Sequence, residues 1–165
     1  MSVLIVVVAL AVIGALLGVR AVRPVPDGHV EIVERLGRYR CTLRPGLHLV
    51  VPFLDTVRAR VPLAPQRTEL PPRALTARDG REIRIGAEVH YRVTDPRAAV
   101  YRITSPEQGV EQLVRTMLRH LAGDMDAAEM QRHRAGIGTT LREELAGPAS
   151  GWGLDIERVE PVLPG

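Results

Sequence analysis

Seventeen consecutive apolar or glycine residues, Val3 to Val19, stand at the start of this chain and end at Arg20. As a helix the run is roughly 25 Å long at ~1.5 Å per residue. A bilayer core of ~30 Å asks for ~17–25 residues, so the run meets the short end of that range. The Arg20 guanidinium can reach back to the headgroups on its methylene stem, which lets Ala21 and Val22 extend the span. Pro24 and Pro26 then end the helix. A cleaved signal peptide fits less well. Only Met1 and Ser2 precede the run, with no basic side chain, and "GVRAVRPVP" sets arginines where small residues belong. The expectation is a retained transmembrane anchor over residues 1–22. Six arginines follow from Arg20 to Arg44, so the positive-inside rule makes this a single-pass cell-membrane protein whose body faces the cytoplasm. Gly14 and Gly18 are spaced as GxxxG, a pattern that lets two membrane helices pack closely. Chance is the plainer reading, because glycine is frequent in such helices.

The remainder, 23–165, is the right size for one domain. Only 3% of residues are aromatic, so its core must be built from Val, Leu, Ile and Ala. The chain has no lysine and no asparagine. Schiff-base chemistry on lysine and N-glycosylation are therefore excluded. A single cysteine, Cys41, excludes an intrachain disulfide. It lies near the anchor, where it could accept an acyl chain, although an ordinary half-buried thiol is the plainer reading.

Motifs for chemistry are missing. His29, His48, His90, His120 and His133 form no HExxH or similar metal spacing. Ser2, Ser105 and Ser150 lie in no GxSxG elbow. The carboxylates offer no distinctive pair, and no P-loop or GxGxxG is present. Arginines alternate with acids and lack interleaved aromatics, which disfavours a nucleic-acid surface. No catalytic, cofactor-binding or metal-ligating residue is assigned, and a structural or interaction role is expected rather than an enzyme.

The body reads as strands followed by helices and a returning strand, an α+β pattern. "HVEIVERLG" is a short strand ended by Gly37, and "TVRARV" is a strand with one wet face. After the Asp79-Gly80 turn, Ile83, Ile85, Ala87, Val89, Tyr91 and Val93 alternate with polar residues, predicting a long half-buried antiparallel strand. The period then becomes helical. Asp95-Pro96 and Ser105-Pro106 are helix starts. Val110, Leu113, Val114, Met117, Leu118 and Leu121 form one apolar stripe, closed by Gly123. Asp126 to Glu129 repeats a capping-box spacing. Ile137, Leu141 and Leu145 make another stripe, with Gly136 and Gly138 weakening that helix by roughly 1 kcal/mol each. "GWGLDIERVEPV" closes the domain as a strand.

Between these elements lies "LHLVVPFL", with the chain's only phenylalanine near its end. Two readings stay open. Leu47, Leu49, Val50, Val51, Phe53 and Leu54 press into the membrane interface, or they form a strand buried between sheet and helices.

Four segments taken together resemble the stomatin/prohibitin/flotillin superfamily, the SPFH or Band 7 domain, in its stomatin-like form. They are "VPDGHVEIVERLGRYRCTLRPGLHLVVPFLDTV", "ALTARDGREIRIGAEVHYRVTDPRAAVYRI", "GVEQLVRTMLRHLAGDM" and "GWGLDIERVE". The resemblance implies a β-rich subdomain followed by an α/β subdomain behind the anchor. It also implies a non-catalytic membrane scaffold that organises lipid microdomains, forms homo-oligomers and regulates partners such as a membrane protease or channel. No cofactor is implied. The alternatives are a membrane-tethered hydrolase using Ser105 or Cys41, or a dedicated adaptor of a membrane protease. Family members usually continue into a long C-terminal helix that drives ring assembly. Here Pro161 and Pro164 block such a continuation, so the expected oligomers are small or weak.

Overall fold

The computed structural model describes residues 5–8, 14 and 21–163. The expected anchor therefore lies largely outside the described residues. Within it, residues 5–8 and Gly14 are helical. Among the described residues no helix is long and apolar enough to cross a membrane. Gly18 lies outside the described residues, and Gly14 has nothing within 4 Å of where a Cβ would stand. The chain divides into two compact units, Met1–Leu63 and Ala64–Gly165.

From residue 22 on, the first unit is built from strands: β1 (Val22–Val25), β2 (His29–Arg35), β3 (Arg38–Leu43), β4 (Gly46–Leu49) and β5 (Asp55–Pro62). Val22, read from sequence as the end of the anchor, is the first residue of β1. Strands β3, β2 and β5 make one antiparallel sheet in that order, and β1 pairs with β4 as a two-stranded ribbon. Four successive residues of β2, Val30 to Val33, are buried. Side chains alternate across a strand, so both faces of β2 are covered here. On the Val33 side, Val25 of the ribbon packs with Val33 and Leu43, and Cys41, Val50 and Val57 close the cluster. A ribbon of two strands is marginal alone; this cluster is what seats it.

In the second unit β6 (Gln66–Thr76) and β7 (Glu82–Val93) form a long hairpin. Its turn follows the expected Asp79-Gly80 pair, with Gly80 at φ 77°. The alternation along β7 is realised: Ile83, Ile85, Ala87, Val89, Tyr91 and Val93 are all buried. Strand β8 (Leu154–Val162) pairs antiparallel on the other side of β7, giving the order β6-β7-β8. Pro71 and Pro72 lie in a register shift of β6. A Cβ on Gly86 would stand 2.8 Å from the Pro72 nitrogen, so glycine is needed where the bulge crosses β7.

Four helices intervene between β7 and β8: α1 (Pro96–Tyr101), α2 (Pro106–Asp124), α3 (Ala127–Arg132) and α4 (Arg134–Gly151). Asp95 caps α1 by accepting from the Arg97 and Ala98 amides, and the Ser105 hydroxyl accepts from Gln108 at the start of α2. The buried stripe of α2 is Val110, Val114, Leu118 and Ala122; that of α4 includes Ile137, Leu141, Leu145 and Ala149. Two expectations are corrected. Gly123 does not stop α2, which runs on to Asp124. Asp126 does not cap α3 through its side chain, because that carboxylate is taken by Arg78 at 3.0 Å. Gly138 also has a purpose beyond weakening its helix. A Cβ there would stand 2.6 Å from the Val159 carbonyl oxygen, so glycine lets α4 lie against β8.

Candidate functional site

The segment "LHLVVPFL" is neither one strand nor buried. Strand β4 ends at Leu49, and residues 50–54 turn back toward β5. In the ribbon Val22 faces Leu49 and Pro24 faces Leu47. Directly opposed residues share a face, so these four apolar side chains line one side, and all four are exposed. Arg23, Val25 and His48 take the other side. The turn adds Val51, Phe53 and Leu54, and the β2–β3 turn adds Leu36. Exposure is nearly complete at the tips: Phe53 87%, Leu36 79%, Leu49 77% and Leu47 76%. Of the six residues singled out from sequence, only Val50 turns inward, into the Val25–Val33–Leu43 cluster. Val22, Pro24 and Leu36 join the face without having been anticipated.

The two turns meet, with the Leu36 amide donating to the Leu54 carbonyl at 3.4 Å. Among the described residues, Leu36 and Phe53 are the non-glycine residues at positive φ, 50° and 70°. Large side chains avoid that region, and holding one there costs about 1–3 kcal/mol. The surroundings must impose it, and Asp55 does so. Its carboxylate accepts from Arg35 at 2.8 Å and from the Val51 amide at 2.8 Å, and it also pairs with Arg40. The Asp55 amide in turn donates to the Val51 carbonyl at 2.9 Å. The Arg35 guanidinium, aided by the Val51 amide and Arg40, holds the Asp55 carboxyl down to about 2. The carboxylate is thus charged at any neutral pH and locks the turn that presents Phe53.

A second buried carboxylate seats the ribbon. Glu31 on β2 has a side chain with no exposed area, and it accepts from Arg23 of β1 at 2.9 Å and Arg60 of β5 at 2.7 Å. Burial raises its pKa, but the hydrogen bonds and charges of Arg23 and Arg60 outweigh burial and leave the carboxyl below its usual range. Neither acid is marked out by the sequence. Only burial and long-range pairing distinguish them.

The apolar face also adjoins the point where the chain enters from its N-terminal run. The Val50 amide donates to the Ala21 carbonyl at 2.8 Å, and Val22 opposes Leu49. Residue 21 and the exposed turn therefore lie at the same end of the unit.

The residues considered for chemistry serve the fold. Ser105 is a helix cap, the Ser150 hydroxyl donates to the Gly147 carbonyl at 2.7 Å, and Cys41 is half-buried against the ribbon cluster. His48 bonds the Arg44 carbonyl at 2.7 Å and His90 bonds Glu88 at 2.8 Å. Among the described residues no group of three or more His, Cys, Asp or Glu side chains could hold a metal ion.

Comparison with known proteins places this geometry. The SPFH domain / Band 7 family model matches residues 23–163. An uncharacterized protein of Mycobacterium tuberculosis is 39% identical over 141 residues, which is 86% of this chain and 37% of the relative. An uncharacterized protein of Methanothermobacter thermautotrophicus is 32% identical over 163 residues, 96% of this chain and 50% of the relative. Human stomatin-like protein 2, mitochondrial, is 29% identical over 136 residues, 82% of this chain and 38% of the relative. The chain thus spans half or less of the length of these three relatives. Two units, one of strands and one of strands and helices, matched from β1 to the end of β8, make this chain a member of the SPFH domain / Band 7 family, similar to stomatin-like proteins.

Proposed function

We propose that this protein is a non-catalytic, membrane-associated scaffold whose first unit lies on the bilayer through the face formed by Val22, Pro24, Leu36, Leu47, Leu49, Val51, Phe53 and Leu54. The observation that carries the reading is the position of that face. It adjoins Ala21, which follows the apolar run Val3–Val19 that we read as a transmembrane anchor. Exposed apolar side chains are ordinary when scattered; a contiguous patch marks an interaction surface. Two bulky residues held at positive φ with their side chains in solvent add to the argument, because such strain persists where it serves a function. Anchor and patch then act together: the span ties the chain down, and the face settles into the headgroup–acyl boundary as interfacial apolar surfaces do. The arginines from Arg20 to Arg44 put the body on the cytoplasmic side of the cell membrane. Homo-oligomerisation and regulation of a membrane protease or channel are part of this proposal, with family membership as their support. The hydrolase alternative is disfavoured by the structural employment of Ser105 and Cys41.

The test uses the full chain in vesicles. Trp152→Phe removes the single native tryptophan, and Phe53→Trp places a reporter at the tip of the face. Lipids brominated in the upper acyl chain should quench that tryptophan strongly, and aqueous iodide should quench it weakly. Ready quenching by iodide with none by brominated lipid would refute the bilayer contact. Extraction of the same protein by alkaline carbonate would separately refute the span.

A further inference from the structure

We propose that the groove between α4 and β8 in the second unit is a docking site for an acidic protein segment. The inference is independent of the bilayer contact, which concerns the first unit. Helix α4 runs beside the outer edge of β8. Arg134 Nε donates to the Pro161 carbonyl at 3.0 Å, and Arg142 Nε donates to the Glu157 carbonyl at 3.1 Å. Gly138, midway, lies against the Val159 carbonyl. The two elements keep in step because four helical residues rise ~6 Å and two strand residues ~6.7 Å. This contact covers an edge strand that would otherwise invite pairing, and it also orients the arginines. A neutral carbonyl takes each Nε, so neither guanidinium charge is met by a carboxylate there. Arg132 is held in the same manner, its Nε donating to the Ala128 carbonyl at 3.2 Å. None of these three meets a carboxylate among the described residues. Arg158 adds a fourth guanidinium from the strand, paired with Glu160. The groove therefore presents four guanidinium groups against one carboxylate.

Guanidinium forks match carboxylate and phosphate oxygens in pairs, so the occupant is an anion. Three features favour a protein segment over a nucleic acid. No aromatic side chain lines the groove, so a base has no stacking platform. Glu160 would repel a dense row of phosphates, yet it can accept from peptide or hydroxyl donors. Ala135, exposed at the groove, supplies apolar surface for a side chain between the acids. From Arg134 to Arg142 the helix rises ~12 Å, which an extended chain covers in about four residues. Residues i, i+2 and i+4 of such a chain share a face. The partner signature is therefore a run of alternating acidic residues, bound through side chains rather than by strand addition, since the β8 carbonyls at 157 and 161 already accept from arginine.

The probe is a fluorescein-labelled peptide of alternating Glu and Ser, titrated by anisotropy into the full chain in mild detergent. Saturable binding is expected, weakened at least tenfold by Arg132→Gln/Arg158→Gln, two exposed positions that tether no strand carbonyl. Arg73→Gln/Arg119→Gln removes the same charge from exposed arginines on β6 and α2 and should leave affinity within twofold. An equal loss in that control pair, no saturable binding, or tighter binding of oligo-uridylate or inorganic phosphate than of the peptide would overturn the proposal.

Discussion

Glu31→Gln removes one charge from the centre of the first unit while keeping the shape of the side chain. The carboxylate has no exposed area and receives four hydrogen bonds: Arg23 Nε at 2.9 Å and Nη2 at 3.3 Å, Arg60 Nε at 3.0 Å and Nη2 at 2.7 Å. Removing one partner of a fully buried pair costs about 3–5 kcal/mol. Here the Arg23 and Arg60 side chains are 41% and 49% exposed, so water can resolvate them, and the glutamine oxygen still accepts. Both effects reduce the cost to about 2 kcal/mol. The loss should be local. Arg23 ties β1 to β2, so the ribbon that carries Val22, Pro24, Leu47 and Leu49 loosens first. A change of ~2 kcal/mol corresponds to roughly thirtyfold, and that is the expected acceleration of amide hydrogen exchange at β1, β4 and Val50. The amides of β6, β7 and β8 serve as internal controls and should not change. The wild-type protection also carries a pH signature. The net pKa of Glu31 is lowered, so its contribution is present above the ordinary carboxylate range and is lost as pH falls through the folded value; the glutamine variant lacks this step. Unchanged exchange at β1 and β4, or equal acceleration in both units, would refute the idea that this carboxylate seats the ribbon.

Asp55 titrates by the same logic, with its folded pKa lowered from 3.8 to about 2. Protection of the Val51 amide should therefore hold at neutral pH and fall between about pH 4 and pH 2; Asp55→Asn should abolish that step, and a titration centred near neutral pH would contradict it. Two glycines of α4 should respond to alanine with opposite signs. Gly136 has open space around it, so Gly136→Ala should stabilise by about 0.5–1 kcal/mol through helix propensity, whereas Gly138→Ala should lower the melting temperature because its Cβ meets the Val159 carbonyl. Equal responses by calorimetry would mean that α4 does not lie against β8 as described.

By itself the sequence determined whatever depends on local period. Alternation from Ile83 to Val93 requires a strand with one buried face, since successive side chains point to opposite sides. The spacing of Val110, Val114 and Leu118 requires a helix with one buried stripe, and Asp95-Pro96 and Ser105-Pro106 mark helix starts because their side chains can reach the orphan amides of a first turn. These elements, in order, were enough to indicate an α+β fold; the SPFH type was indicated by the resemblance of four segments to that family. The segment from Leu47 to Leu54 was different. An apolar run broken only by His48 carries almost no phase, so little in it tells inside from outside, and burial or exposure remained open until β4 was seen to pair with β1. That pairing joins residues 22–25 to residues 46–49 and turns Val22 and Pro24, which looked like the end of an anchor, into half of an apolar face. The clamps are equally non-local: Glu31 meets Arg60 across 29 positions and Asp55 meets Arg35 across 20. A carboxylate among many arginines has no mark of burial in the sequence. Only the tertiary structure, by removing Glu31 and Asp55 from water and fixing guanidiniums beside them, decided which acids hold the fold and which apolar residues stay exposed.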